Sequence, residues 1–100
     1  MRVISRKKLV EFWKVHTEAQ PPLRAWFSLM TGRRFENPHQ VREAFGSVDF
    51  LGGHTTVFDI GGNKYRLIAD MRYDAGLGRV YVRHVLTHAE YDRLSRAGRL

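Results

Sequence analysis

Apolar positions in the first third of the chain recur at helical spacing. Leu9, Phe12, Trp13 and His16 form one stripe, so Arg6 to about Thr17 is predicted to be an amphipathic helix. Ser5 is its candidate N-cap, and Val3 and Ile4 are the apolar part of a short edge strand over Met1 to Ser5. Pro21 and Pro22 reset the chain, and proline is tolerated in a first helical turn because its missing donor has no intrahelical partner there. Leu23, Trp26, Phe27 and Met30 then mark a second helix that ends near Gly32. The two helices are expected to form a hairpin whose aromatic residues, Phe12, Trp13, Trp26 and Phe27, face a shared core. Asn37-Pro38 is a break, followed by a short helical turn from His39 to Phe45 and a loop from Gly46 to Gly53.

From His54 onward the period changes from helical to alternating. Thr55 to Ile60 is rich in β-branched residues, and Gly61-Gly62 is a tight-turn signal. Lys64 to Tyr73 is a second strand, Ala75 to Gly78 another turn, and Arg79 to Leu86 a third strand. His88 to about Arg96 closes the chain as a helix, with Thr87 as N-cap and Glu90 three residues on as its capping-box partner. The expected fold class is α+β: a helical hairpin packed on one face of a small, mostly antiparallel meander, with a short C-terminal helix.

Composition narrows the function classes. One hundred residues suit one domain, 1–100, with a single core and little room for a large pocket. Seventeen Lys and Arg against ten Asp and Glu give a net charge of +7, which points to a polyanionic partner such as nucleic acid. There is no cysteine, so disulfides, thiolate metal sites and a cysteine nucleophile are excluded, in keeping with a reducing cytosol. The N-terminal apolar residues are interrupted by Arg6, Lys7, Lys8, Glu11 and Lys14, which leaves no signal-peptide apolar core; no run approaches the length of a membrane span, and a cytoplasmic location is expected. No pair of His, Asp or Glu has persuasive metal spacing, since His84 and His88 straddle a strand–helix junction; a metal-independent protein with no cofactor is expected.

Strand alternation sorts the candidate chemistry. Tyr65, Leu67, Ala69 and Met71 share the core face of the middle strand, opposite Lys64, Arg66, Ile68, Asp70 and Arg72. In the last strand Val80, Val82, His84 and Leu86 share a face opposite Tyr81, Arg83 and Val85, so His84 is assigned to the core. Lys64, Arg66 and Arg83 then fall on one surface, where mutual repulsion would be relieved by a bound anion. The alternative is a solvated face on which Asp59 or Asp70 pairs the arginines. His88 and Tyr91, three apart at a helix start, project from one side. Histidine is the residue type that exchanges protons near neutrality, and a tyrosine hydroxyl can position a phosphate. Cations with a His and a Tyr at their rim suit phosphodiester cleavage: a base on the ribose 2′-hydroxyl, charge on the phosphorane-like transition state, an acid on the departing 5′-oxygen. His54, opening a strand beside a glycine pair, is a weaker candidate.

The order VFDIGGNKYRLIADMRYDAGLGRVYVRHVLTHAEYDRL resembles the second half of HigB-type toxins of the RelE superfamily, through GGN-x-YRL, VYVRHVLTH and THAEYD. NPHQVREAFGSVDFLGGHTTVFDI resembles the segment before it, so the likeness runs over about residues 37 to 93 and is topological before that. The resemblance implies an mRNA interferase, an endoribonuclease that cuts mRNA on the ribosome and is held inactive by an antitoxin, a HigA-like helix-turn-helix protein. By position it places Arg66 as the phosphate-binding strand arginine, with His88 and Tyr91 as the C-terminal catalytic residues. Lys64, Arg83, His54 and Arg93 are then expected to contact RNA. Two alternatives stay open: a non-catalytic toxin of the ParE-like branch that inhibits gyrase, and a plain RNA- or ribosome-binding module using Arg93, Arg96 and Arg99.

Overall fold

The computed structural model describes residues 1–73 and 78–99. The elements run β1 (Arg2–Ile4), α1 (Arg6–Val15), a 3-10 turn (Thr17–Ala19), α2 (Gln20–Thr31), α3 (Pro38–Phe45), β2 (Val48–Phe50), β3 (Thr55–Ile60), β4 (Tyr65–Arg72), β5 (Arg79–Thr87) and α4 (His88–Arg96). Among the described residues the strands form one sheet in the order β1-β5-β4-β3-β2. β2 to β5 are an antiparallel meander, and β1 closes the edge parallel to β5. The fold is α+β, as expected.

Local chemistry accounts for most boundaries. Pro21 and Pro22 sit in the first turn of α2, where no donor is lost. Asn37 caps α3 by accepting from the Gln40 N–H at 3.0 Å. Gly61 and Gly62 both adopt positive φ, which lets β3 return as β4 within a few residues. Two readings change. Ser5 is left-handed, with φ 75°, and its side chain makes no cap; its carbonyl accepts from Lys8 N–H instead. The segment read as loop from Gly46 to Gly53 contains β2, held because Val48 is buried and Phe50 packs on the core while Asp49 faces out. Three residues are too few to show a period. Of the turn read over 75–78, residues 75–77 lie outside the described residues.

The core lies between the helical hairpin and the sheet. Leu9, Leu23, Met30, Phe35, Phe58, Leu67 and Met71 are fully buried there. Tyr65, Leu67, Ala69 and Met71 line the core face of β4, as their alternation requires. Trp26 is 3 % exposed and meets Phe58 edge-on. Trp13 and Phe27, expected in the core, are only partly buried on the outer side of the hairpin, where Arg6 and Arg24 cover them.

A β-bulge sets the second face of the sheet. Ile68 pairs with His84 and Ala69 with Val82, so Arg83 is the extra residue in β5. One inserted residue reverses parity beyond it. Val85 therefore packs on the core, while His84 moves to the opposite face and is exposed. The assignment of His84 to the core is thus corrected: simple alternation holds only as far as Val82. No helix among the described residues is long and apolar enough to cross a membrane.

Candidate active site

Arg66 lies opposite Asp59 across β3 and β4, on the face away from the helical hairpin. Its Nε is 3.1 Å from Asp59 Oδ1, with the two side chains 10 % and 21 % exposed. Its terminal nitrogens donate to Asn63 Oδ1 at 2.6 Å, to the Tyr65 carbonyl at 3.2 Å and to the Asn63 carbonyl at 3.4 Å. The other Asp59 oxygen accepts from the Ser47 hydroxyl. The guanidinium is therefore fixed in place and largely saturated. Tyr91 from α4 covers it, with the guanidinium carbon 5.6 Å from the ring centroid. That is cation–π distance.

The strand-to-helix junction aims α4 at this arginine. The capping box is present in full: Glu90 N–H donates to Thr87 Oγ1 at 3.2 Å, and Thr87 N–H donates to Glu90 Oε1 at 2.9 Å. His88 N–H donates to the Lys64 carbonyl at 3.0 Å and ties the start of α4 to the β3–β4 hairpin. The hydrogen bond from the Thr87 backbone holds the Glu90 carboxyl below its ordinary range. Burial pushes the other way, and the Thr87 hydroxyl, His16 and Arg93 add to the lowering. With the first turn held, His88 and Tyr91 emerge together three residues apart.

His88 has a partner outside the THAEY motif. Its Nδ1 lies 3.0 Å from Asp92 Oδ2, one helical turn on, with both side chains 43 % exposed. The i, i+4 spacing of His88 and Asp92 was the available signal. A carboxylate on Nδ1 selects the tautomer and orients the ring, leaving Nε2 to exchange a proton. Neither Nε2 nor the Tyr91 hydroxyl has a hydrogen-bond partner among the described residues.

The remaining candidates are dispersed. Lys64 belongs to the turn before β4, and its ammonium pairs with Glu18 at 3.6 Å rather than sharing a face with Arg66. Arg83, at the bulge, donates to Asp70 Oδ2 from both Nε and Nη2 at 2.9 Å. The arginines do not form one repelling cluster. Asp59 takes Arg66 and Asp70 takes Arg83, which is the paired arrangement weighed as the alternative. Arg93 is exposed on α4. His54 is exposed at the other end of β3, where its carbonyl accepts from Met71 N–H. Five residues of strand, roughly 17 Å, separate it from Asp59, so it could meet only a different nucleotide of a bound strand. Among the described residues no three His, Asp or Glu side chains gather as metal ligands.

A family model described as the HigB toxin, RelE-like toxic component of a toxin-antitoxin system, matches residues 19–94. A protein named mRNA interferase HigB from Escherichia coli O6:H1 is 30% identical over 98 residues, covering 96% of this chain and 93% of its own. The mRNA interferase toxin HigB of Escherichia coli strain K12 is 30% identical over 95 residues, covering 92% of this chain and 88% of its own. A Shigella flexneri protein named mRNA interferase HigB matches to the same extent, 30% over 95 residues.

Proposed function

The chain belongs to the HigB family of RelE-like toxins, and on that premise we propose which of its residues do the cutting and where. It is the toxic component of a toxin–antitoxin pair, an endoribonuclease that cleaves mRNA. The observation that carries the residue assignment is the His88–Asp92 pair standing beside a tyrosine stacked on a fixed arginine.

The assignment follows from in-line geometry. The attacking 2′-oxygen and the departing 5′-oxygen lie on opposite sides of phosphorus, so two separate groups must handle the two protons. His88, with Nδ1 held by Asp92, presents Nε2 to the 2′-hydroxyl and takes its proton as the O2′–P bond forms. Tyr91 gives its hydroxyl proton to the 5′-oxygen as the P–O5′ bond breaks. The products are a 2′,3′-cyclic phosphate and a free 5′-hydroxyl, with no outside co-reactant. Arg66, against the Tyr91 ring, offsets the negative charge left on the phenol and on the phosphorane oxygens. Because Asp59 already neutralises much of it, Arg66 acts as much by holding Tyr91 as by gripping phosphate. Lys64, Arg83, Arg93 and His54 would contact flanking nucleotides.

The finer partner assignments rest on the same premise. The substrate would be mRNA engaged on a ribosome in the cytoplasm, and the antitoxin a HigA-like helix-turn-helix protein. Replacing His88 by Ala, or Tyr91 by Phe, is expected to slow mRNA cleavage about 10²–10⁴-fold, the usual range for one general acid or base. Asp92→Asn should slow it less while leaving the fold intact. Primer extension on mRNA from expressing cells reads all three. Cleavage at the parental rate in both His88→Ala and Tyr91→Phe would overturn the assignment.

A further inference from the structure

The contacts that hold Arg66 are unequal. Asp59 takes its Nε at 3.1 Å through one carboxylate oxygen. One contact at Nε leaves the planar guanidinium able to swing about that point. Nη1 donates to two backbone carbonyls, Tyr65 at 3.2 Å and Asn63 at 3.4 Å, which is the long end of the range for an N–H···O bond. Nη2 donates to the Asn63 side chain at 2.6 Å, the shortest of the four. A guanidinium has donors only, so the atom that faces it is the carboxamide oxygen. Asn63 and Asp59 are the two side chains that hold the arginine by hydrogen bond among the described residues. Together they fix its plane at two nitrogens.

Two properties of Asn63 separate this bond from ordinary packing. The residue is exposed, in the turn between β3 and β4, and belongs to no part of the core. It is also neutral, so it secures Arg66 without offsetting more of the charge than Asp59 already does. What the bond secures is the stack on Tyr91, whose ring centroid lies 5.6 Å from the guanidinium carbon. The next residue in the same turn reaches the other half of the site: the Lys64 carbonyl accepts from the His88 N–H at 3.0 Å. One short turn therefore sets Arg66 by a side chain and the start of α4 by the backbone.

We propose that Asn63 is a positioning residue for mRNA cleavage, fixing the guanidinium of Arg66 against the Tyr91 ring. It touches neither the substrate nor the reacting atoms in this role. When Tyr91 gives up its proton, the negative charge on the phenol forms beside a cation whose place is already set, and preorganised charge of this kind needs no rearrangement as the reaction proceeds. The inference rests on the assignment of Tyr91 and Arg66 above.

The test is single-turnover cleavage of a defined mRNA, free or on ribosomes as the parent requires, by the full chain in excess over a series of toxin concentrations. Asn63→Ala should lower the maximal rate about tenfold or more, the worth of one hydrogen bond to a charged group. The half-saturating concentration should move less than about twofold, since the lost interaction acts in the chemical step. Asn63→Asp keeps an oxygen on Nη2 and should recover part of the loss. Glu18→Gln frees Lys64 in the same turn and should change the maximal rate less than about twofold, because an exposed pair contributes little. In arginine-labelled protein the Arg66 Nε–H resonance should shift or exchange faster in Asn63→Ala and stay in place in Glu18→Gln. Combined with Tyr91→Phe, Asn63→Ala should cost less than it does in the parent, because the two residues act together. Thermal melting gives the folded fraction of each variant.

An unchanged maximal rate in Asn63→Ala would overturn the proposal. So would a loss confined to the half-saturating concentration, which would make Asn63 a substrate contact. Equal slowing by Glu18→Gln, an Asn63→Asp variant no faster than Asn63→Ala, or losses that multiply in full with Tyr91→Phe would each overturn it as well. Tyr91→Phe at the parental rate sinks the acid assignment instead, and Asn63 then stands or falls on the Arg66 resonance and the Asn63→Ala rate.

Discussion

At the scale of single residues, the proposed site is built on one enclosed ion pair. Arg66 and Asp59 are 10 % and 21 % exposed, and each is held by further hydrogen bonds. A pair of this kind adds little beyond an apolar replacement of both partners, but removing one partner strands the other. Asp59→Ala is expected to cost about 3–5 kcal/mol in chemical unfolding, because Arg66 loses its counter-charge and Ser47 its acceptor. A loss below about 1 kcal/mol would mean that water reaches Arg66 freely. Much of this is legible in the sequence, which singles out Arg66, His88 and Tyr91; the structure sets Arg66 against the Tyr91 ring and puts His88 three residues before that tyrosine on α4. Asp92 lies one residue beyond THAEY, and only the helical repeat, which needs the helix to be established first, joins it to His88. Parity alone groups Lys64 and Arg83 with Arg66, and parity says nothing about the carboxylates that pair with them.

At the scale of elements, β4 and α4 behave as their patterns require, and β5 does not. The bulge at Arg83 cannot be read from RVYVRHVLT, in which apolar residues fall on either side of any register. It places His84 on the open face and Val85 inward. Similarly, β2 is too short to carry a period of its own, and the packing of Val48 and Phe50 decides it. The capping box of α4, by contrast, was fully legible because it depends on two residues at a fixed offset. It also carries a pH dependence. The folded carboxyl of Glu90 is held below its ordinary range, chiefly by the Thr87 backbone. A group with a lowered folded pKa contributes stability that is fully present above its unfolded value and is lost as pH falls through the folded one. The first turn of α4 should therefore loosen below about pH 4, where free glutamate titrates. Protection factors at Glu90 and Tyr91, which remove the intrinsic pH dependence of amide exchange, should fall on acidification in the parent, and a Glu90→Gln variant should lack that step. Equal acid sensitivity in the two proteins would assign the effect to other groups.

At the scale of the whole molecule, the N-terminal edge strand and the proposed site lie at opposite ends of β5. The family model matches from residue 19 and the relatives align over nine-tenths of the chain, so the likeness extends through the helical hairpin, where motifs alone showed only topology. That region supplies one wall of the core and most of the net charge, while the proposed site residues Asp59, Arg66, His88, Tyr91 and Asp92 all come from β3 onward. β1 is the clearest case. It pairs with β5 at Arg79 to Tyr81, whereas α4 leaves β5 at Thr87, the far end of the strand. Its buried Met1 and the core-packed Val3 contribute to folding and touch nothing at the site. Deleting residues 1–5 should cost about 2–4 kcal/mol, from the apolar side chains returned to water. At about 4–8 °C per kcal/mol, the melting temperature should fall by at least about 8 °C. Val3→Ala, at about 1 kcal/mol, serves as the milder version if the deletion does not fold. In either variant the cleavage rate per folded molecule should match the parent, measured at a temperature where the folded fraction is known from the melt. A rate that falls faster than the folded fraction would show that the edge strand reaches the site through β5, and that the two ends of the sheet are coupled rather than separate.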